Sequence, residues 1–355
     1  MPKIGILADL HFGARGDSMV FNDYFFRFYE DIFFETLVSQ NIREVWVLGD
    51  FFDRRKFINF KILSAVRKRF LHPLENLGVK MRVLLGNHDV YHKNTNEINA
   101  VQEILGGWPN VEVFNDPEEF SCGDKTILFM PWITQDNYDY CMNMIQVSNA
   151  QVLAGHLQLT GFMMYAGHTC DSGMDPSTFS KFDLTISGHF HIKNSIGDIH
   201  YLGAPYPMTF GDMGSAKGFH ILDTKDLSLE FIQNPYEMFH RVIYDDRGRT
   251  LDAVLGTLTP VNKFENTYIK VVVTNKSNPY YFDRFMDHLY SVNPVEIKVI
   301  EDFNYEVGEE TIEGAEDTLT VLNKYVDGLT CFDGNKSHLK DFVKSIYLEA
   351  MQLES

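Results

Sequence analysis

The segment Ser187-Gly188-His189-Phe190-His191 sets two imidazoles one residue apart. In an extended chain side chains alternate, so His189 and His191 are expected on one face. Two imidazoles on one face can hold a metal, or serve as plain surface residues. Related corners recur upstream: Asp9-Leu10-His11, Gly49-Asp50, Gly86-Asn87-His88-Asp89 and Gly155-His156. Each follows an apolar run. Taken singly, Asp9 and Asp50 could cap the helices that follow, and His11 and His156 could be satisfied polar residues. In series, the corners place Asp, Asn and His where ligands bind in open α/β sheets, outside the carboxyl ends of strands. Mixed nitrogen and oxygen donors suit Mn²⁺, and also Zn²⁺ or Fe²⁺.

The elements that must position these residues are legible as alternating runs. Residues 3–9, 44–50, 79–89, 125–132, 150–156 and 183–189 read as buried strands. Between the early ones, residues 23–38 carry apolar side chains at three- and four-residue steps, as do residues 58–77 until Pro73 interrupts. Strand–helix alternation argues for an α/β layer fold. Two runs within 218–232 predict a hairpin. Farther on, 267–274, 279–292 and 295–301 read as strand, helix and strand.

The chain has 355 residues, 45% of them hydrophobic, enough for more than one packed domain. Its net charge of −18 argues against a basic protein that coats DNA without regard to sequence. Residues 301–317 hold eight acids and neither Lys nor Arg, the pattern of a linker. The N-terminus reads as a first core strand rather than a signal peptide, and no long uncharged stretch suggests a membrane span. The cysteines, Cys122, Cys141, Cys170 and Cys331, form no CxxC pair, so a reducing cytoplasm is expected.

The ordered series D-x-H, GD, GNHD, GH and GHxH resembles the calcineurin-like metallophosphoesterase superfamily. "ADLHFG", "GDFFD", "LGNHD" and "YLGAPYPMTFGD" are similar to its SbcD-type nucleases of DNA double-strand-break repair. The resemblance implies a β-sandwich flanked by helices (residues 1–235), a small α+β capping domain (236–300), the acidic linker (301–317) and C-terminal helices that dock an ATPase (318–355). It implies two divalent ions, Mn²⁺ first with Mg²⁺ as an alternative. Asp9, His11 and His191 match ligands of one ion, Asn87, His156 and His189 those of the other, and Asp50 the bridge. His88 matches a histidine that contacts the scissile phosphate and helps protonate the leaving oxygen. Asp53, where many relatives carry His, matches an aspartate that orients the catalytic histidine in others.

The implied activity is exonucleolytic and endonucleolytic cleavage of DNA in recombination, repair and replication. The implied partners are an SbcC-like ATPase and a second copy of the chain, in the cytoplasm, or a host's cytoplasm for a phage-encoded protein. The pairing would use helices at 58–77 and about 95–105, with Ile62, Ala65, Val66 and Leu105 either at the contact or in ordinary core packing. Arg54, Arg55 and Lys56 lie beside the site and could track DNA phosphates. Residues 67–69, Arg-Lys-Arg, read as a solvated helix face. "GDFFDR" also resembles phosphoprotein phosphatases, so a phosphatase or cyclic-nucleotide phosphodiesterase is the rival reading, and a metal-poor scaffold the third.

Overall fold

The computed structural model describes residues 3–165 and 167–301, and residues 326, 336, 339, 340, 342 and 343. Residues 1–307 form one compact unit and residues 308–355 a second. In the second unit the six described residues, among them Leu339, Phe342 and Val343, are helical. The remainder of the expected docking helices, the acidic segment beyond Glu301 and Cys331 lie outside the described residues.

Alternation along the strands builds the core. In the first sheet β1 (Lys3–Leu7), β2 (Glu44–Leu48), β3 (Lys80–Leu84) and β4 (Val111–Phe114) run parallel. The second holds β5 (Glu118–Cys122), β6 (Lys125–Met130) and β7 (Val152–His156). A small ribbon, β8 (Met163–Tyr165) with β9 (His168–Thr169), interrupts before β10 (Leu184–Gly188), β11 (Asn194–Ile196) and β12 (Ile199–Tyr201) complete that sheet. The hairpin of β13 (Gly218–Asp223) and β14 (Leu229–Gln233) returns to the first, pairing antiparallel with β1. The orders are β14-β13-β1-β2-β3-β4 and β11-β12-β10-β7-β6-β5.

Trp46 and Leu48 of β2 meet Phe129 and Ala154 in the layer between the sheets. Val45 and Val47, on the opposite face, pack with Phe25, Phe33, Ile62 and Phe70 of the helical layer. Leu128 and Leu153 likewise cover Cys141 and Ile145 of helix Tyr138–Val147. The result is helix, sheet, sheet, helix: the α/β layering expected from the alternation, in the sandwich form that the resemblance implied.

Several expectations need correction. The helix beginning at Phe60 does not stop at Pro73 but runs on to Asn76. A π-helical turn, Arg67–Leu71, precedes the proline and His72 N–H donates to Arg67 O, so the ladder has widened where the ring must fit. Ile62, Val66 and Leu105 are fully buried in their own core and Ala65 packs against it, so they are not free to contact a second copy. Phe57, Phe60 and Ile98 are exposed large apolar residues in or beside these segments. Arg69 is bound to Glu30 and Asp23 and stacks on Phe26, while Arg67 and Lys68 are solvated as expected.

A third sheet of β15 (Phe239–Asp245), β16 (Tyr268–Asn275) and β17 (Glu296–Glu301) is parallel throughout. Helix Pro279–Tyr290 buries Phe285 and Leu289 against it. His240, Arg241 and Asp245 dilute the alternation of β15, so its sequence alone does not mark a strand. Cys122, Cys141 and Cys170 are free and buried. Among the described residues no helix is long and apolar enough to cross a membrane.

Trp46 is wholly buried between the sheets. Trp46→Ala is expected to cost about 3–5 kcal/mol in urea unfolding; a loss under about 1 kcal/mol would contradict this packing.

Candidate metal centre

The parallel strands deliver their carboxyl ends to one place, where the chain turns through left-handed backbone. Asp9, His11, Asp50 and His189 have φ of 55°, 43°, 51° and 92°. Four non-glycine residues in this sparsely populated region mark a site whose surroundings over-determine the backbone. Gly86 is required by approach: a Cβ there would collide with the Asp50 carboxylate.

His189 and His191 lie beyond the end of β10, not in an extended strand. The turn at His189 sends the two rings to different neighbours, so the shared-face expectation is corrected. His191 Nε2 is 3.1 Å from His11 Nε2, and His189 Nδ1 is 2.9 Å from Asn87 Oδ1. Donor atoms of Asp9, His11 and His191 converge within 4.8 Å of one another, as do those of Asp50, His156 and His189. Asn87 Oδ1 adds to the second group, 3.0 Å from His156 Nε2. Asp50 Oδ2 faces both groups, 3.5 Å from His11 Nε2 and 3.4 Å from His156 Nε2. All seven candidate ligands are thus brought together.

Their orientation is fixed from behind. His156 Nδ1 donates to Leu48 O at 2.8 Å, leaving Nε2 as the free donor atom. His189 N–H donates to Asp9 Oδ1 at 2.9 Å and His88 N–H to Asp50 Oδ1 at 2.7 Å. Asp9 Oδ2 is buried without a partner. Burial drives the Asp9 carboxyl up to about 6, and drives His189 down to about 3, the charge on His156 adding to the latter. Burial opposes the ionised Asp50 and His156 too, yet their mutual attraction wins, holding Asp50 well below the usual carboxylate range and lifting His156 to about 9. Opposed buried carboxylates and imidazoles, one oxygen left bare, are a donor set that fits divalent cations.

Asp53 meets two histidines, its carboxylate within 4.8 Å of ring nitrogens of both His11 and His88. Its backbone carbonyl accepts from His88 Nδ1 at 2.7 Å, while its carboxylate lies 3.3 Å from His11 Nδ1. Burial lowers the His88 pKa, outweighing the upward pull of the Asp50 and Asp53 carboxylates. Arg54 is committed to Asp17 at 3.0 Å. Arg55 is partly buried within the field of Asp50 and Asp89, and Lys56 is exposed beside the Tyr91 ring. His200, His220 and His240 belong to other surroundings, beside Ser195, Phe231 and Glu237.

Three further residues support the centre; Trp132 and Lys217 carried no sequence signal, whereas Asp89 belongs to the Gly86–Asp89 corner. Trp132 packs its ring 5.1 Å from His189 and 5.9 Å from His156. Lys217, buried with Asp212, donates at 2.6 Å to both Asp212 Oδ1 and His191 O. Asp89 accepts from the N–H groups of Phe51, Phe52 and Gly86 at 3.0, 3.3 and 2.8 Å, tying two corners together.

The sandwich and the clustered Asp, Asn and His side chains define a metallophosphoesterase. Residues 2–193 match the family described as calcineurin-like phosphoesterase, and the chain belongs to that family. It is a metal-dependent hydrolase of phosphodiester bonds. It is similar to exonuclease subunit 1 of Enterobacteria phage T4, at 27% identity over 314 residues, covering 86% of this chain and 88% of that one. A solved archaeal phosphodiesterase is similar at 15% identity and a TM-score of 0.33 over 65% of this chain and 99% of that one, too slight a likeness to bear on the fold.

Asp89→Ala would strip three buried N–H groups of their acceptor. It is expected to cost about 3 kcal/mol or more in urea unfolding, and to weaken Mn²⁺ binding in calorimetry although Asp89 is no candidate ligand. Unchanged stability would contradict its bracing role.

Proposed function

We propose that the protein is a Mn²⁺-dependent DNA nuclease, with exonuclease and endonuclease activity, working with an SbcC-like ATPase on DNA ends in recombination, repair and replication. The observation that carries the two-metal reading is Asp50 Oδ2, 3.5 Å from one histidine and 3.4 Å from another in separate donor groups. A carboxylate so placed has the reach to serve two ions. Asp9, His11 and His191 would hold one, and Asn87, His156 and His189 the other. Bound there, two divalent ions supply an activated water and a clamp on the phosphoryl centre. The length-spanning likeness to a phage exonuclease subunit supports DNA as substrate and a partner subunit.

The chain's own residues divide the remaining work. His88, its Nδ1 held by Asp53 O, has Nε2 left to protonate the leaving oxygen. The Asp53 carboxylate sits behind His11 Nδ1, where it orients a ligand rather than the acid. Arg55 and Lys56, with Arg54 once released from Asp17, are the cations placed to meet DNA phosphates. Residues 1–235 would carry the chemistry, 236–300 cap it, 301–317 link and 318–355 dock the ATPase. Pairing of two copies would use Phe57 and Phe60, exposed at the helix start. A cytoplasmic site of action, in a host cell for a phage product, follows from the substrate.

The deciding assay presents linear duplex DNA, a phosphoprotein and a cyclic nucleotide side by side with Mn²⁺. DNA degradation alone is the expected outcome; turnover of either other substrate with intact DNA would overturn the nuclease reading. Asp50→Ala is expected to lose both metal and cleavage. His88→Ala is expected to keep the metal and lose cleavage by about 10²-fold or more. Equal metal loss in both variants would show that the division into ligand and acid is wrong.

A further inference from the structure

Lys217 is only 5% exposed and its neighbour Asp212 only 7%. The Lys217 ammonium donates at 2.6 Å to Asp212 Oδ1 and at 2.6 Å to the backbone oxygen of His191. Asp212 is fixed in turn. Its Oδ2 accepts from the N–H groups of Met208 and Thr209 at 3.0 and 2.9 Å and from Thr209 Oγ1 at 3.2 Å. The Lys217 backbone is held as well, its oxygen accepting the Asn234 N–H at 2.7 Å. Both members of the pair are anchored independently of His191.

A buried ion pair is a poor device for stability alone. Desolvating two charges offsets their attraction, and a well-packed apolar pair of similar volume does as well or better. What this pair adds is a charged donor on the carbonyl of a candidate metal ligand. His191 lies between β10 and β11, in neither ladder, and its backbone oxygen also accepts the Ala204 N–H at 3.2 Å. His156, in the other donor group, closes β7 within the sheet, in register with Gly188. The His191 turn thus takes from a side chain the hold that His156 takes from a sheet. Pinning its carbonyl limits where the His191 ring nitrogens can sit relative to Asp9 and His11.

We infer that Lys217, braced by Asp212, is a positioning residue for His191. It sets the affinity of the ion held by Asp9, His11 and His191, and leaves the ion held by Asn87, His156 and His189 largely as it is. The inference rests on the two-ion reading above. It adds that the two ions are supported unequally, one of them through a segment that begins after β12.

The test is calorimetric titration of the full chain with Mn²⁺. The parent is expected to bind two ions. Asp212→Asn with Lys217→Met removes both charges together, so neither is left buried alone. This pair is expected to weaken one ion by about 10–100-fold and to leave the other within about threefold of the parent. Asp212→Asn with Lys217→Gln repeats the test with two amides that can bond each other, the Gln being one bond too short for the lysine's reach. The same one-sided loss is expected. In a His189→Ala background the paired substitution keeps its full effect, whereas in His191→Ala it adds nothing, because the ligand it acts through is gone. Unchanged affinity, equal weakening of both ions, or the same loss with and without His191 would overturn the inference and leave the two-ion reading standing. A parent that binds a single ion would overturn that reading and this inference with it.

Discussion

One buried carboxylate organises the centre. Asp50 sits at the end of β2 in left-handed backbone, with no solvent to share its charge. One oxygen takes the His88 N–H, the other faces His11 and His156, and its own carbonyl accepts the His11 N–H at 2.9 Å. A charge this deep is tolerable only if cations or donors surround it. The neighbouring corners meet that need in turn, from β1, β3 and β7. Gly86 has no side chain because the Asp50 carboxylate occupies the space, and Asp89 binds the N–H groups on both sides of the junction. The sandwich brings these corners to one edge; the electrostatics of Asp50 explain what they carry.

Much of this was legible because parallel strands buried on both faces leave a strong signature. β2 reads Val-Trp-Val-Leu without a polar break, and the Gly-Asp after it marks where the burial ends. The donor residues were legible for the same reason: each sits directly after such a run. What the sequence could not disclose was direction. His189 and His191 were expected to share a face by strand geometry, but the left-handed turn at His189 parts them. Asp53 was placed near His88 correctly by spacing, yet it is the backbone oxygen that holds His88, and the carboxylate turns to His11. A one-dimensional pattern locates a residue without saying which of its atoms is used.

The contributors with no signal are distant in the chain or apolar. Lys217 reaches the His191 carbonyl from 26 residues downstream, and nothing local distinguishes it from a surface lysine. Trp132 looks like the end of a core strand. Its value lies in contact with two imidazoles, which are tens of residues away. Proline misled in the other direction: Pro73 reads as a helix end, and the π-helical turn before it lets the helix continue.

The proposed two-ion centre depends on Asp50 serving both ions. Crystals equilibrated with Mn²⁺ and measured at the manganese absorption edge would locate the ions directly. The prediction is two anomalous peaks about 3.5–4 Å apart on either side of Asp50 Oδ2, one within reach of Asp9, His11 and His191 and the other of Asn87, His156 and His189. A single peak, or two peaks of which Asp50 binds only one, would contradict it.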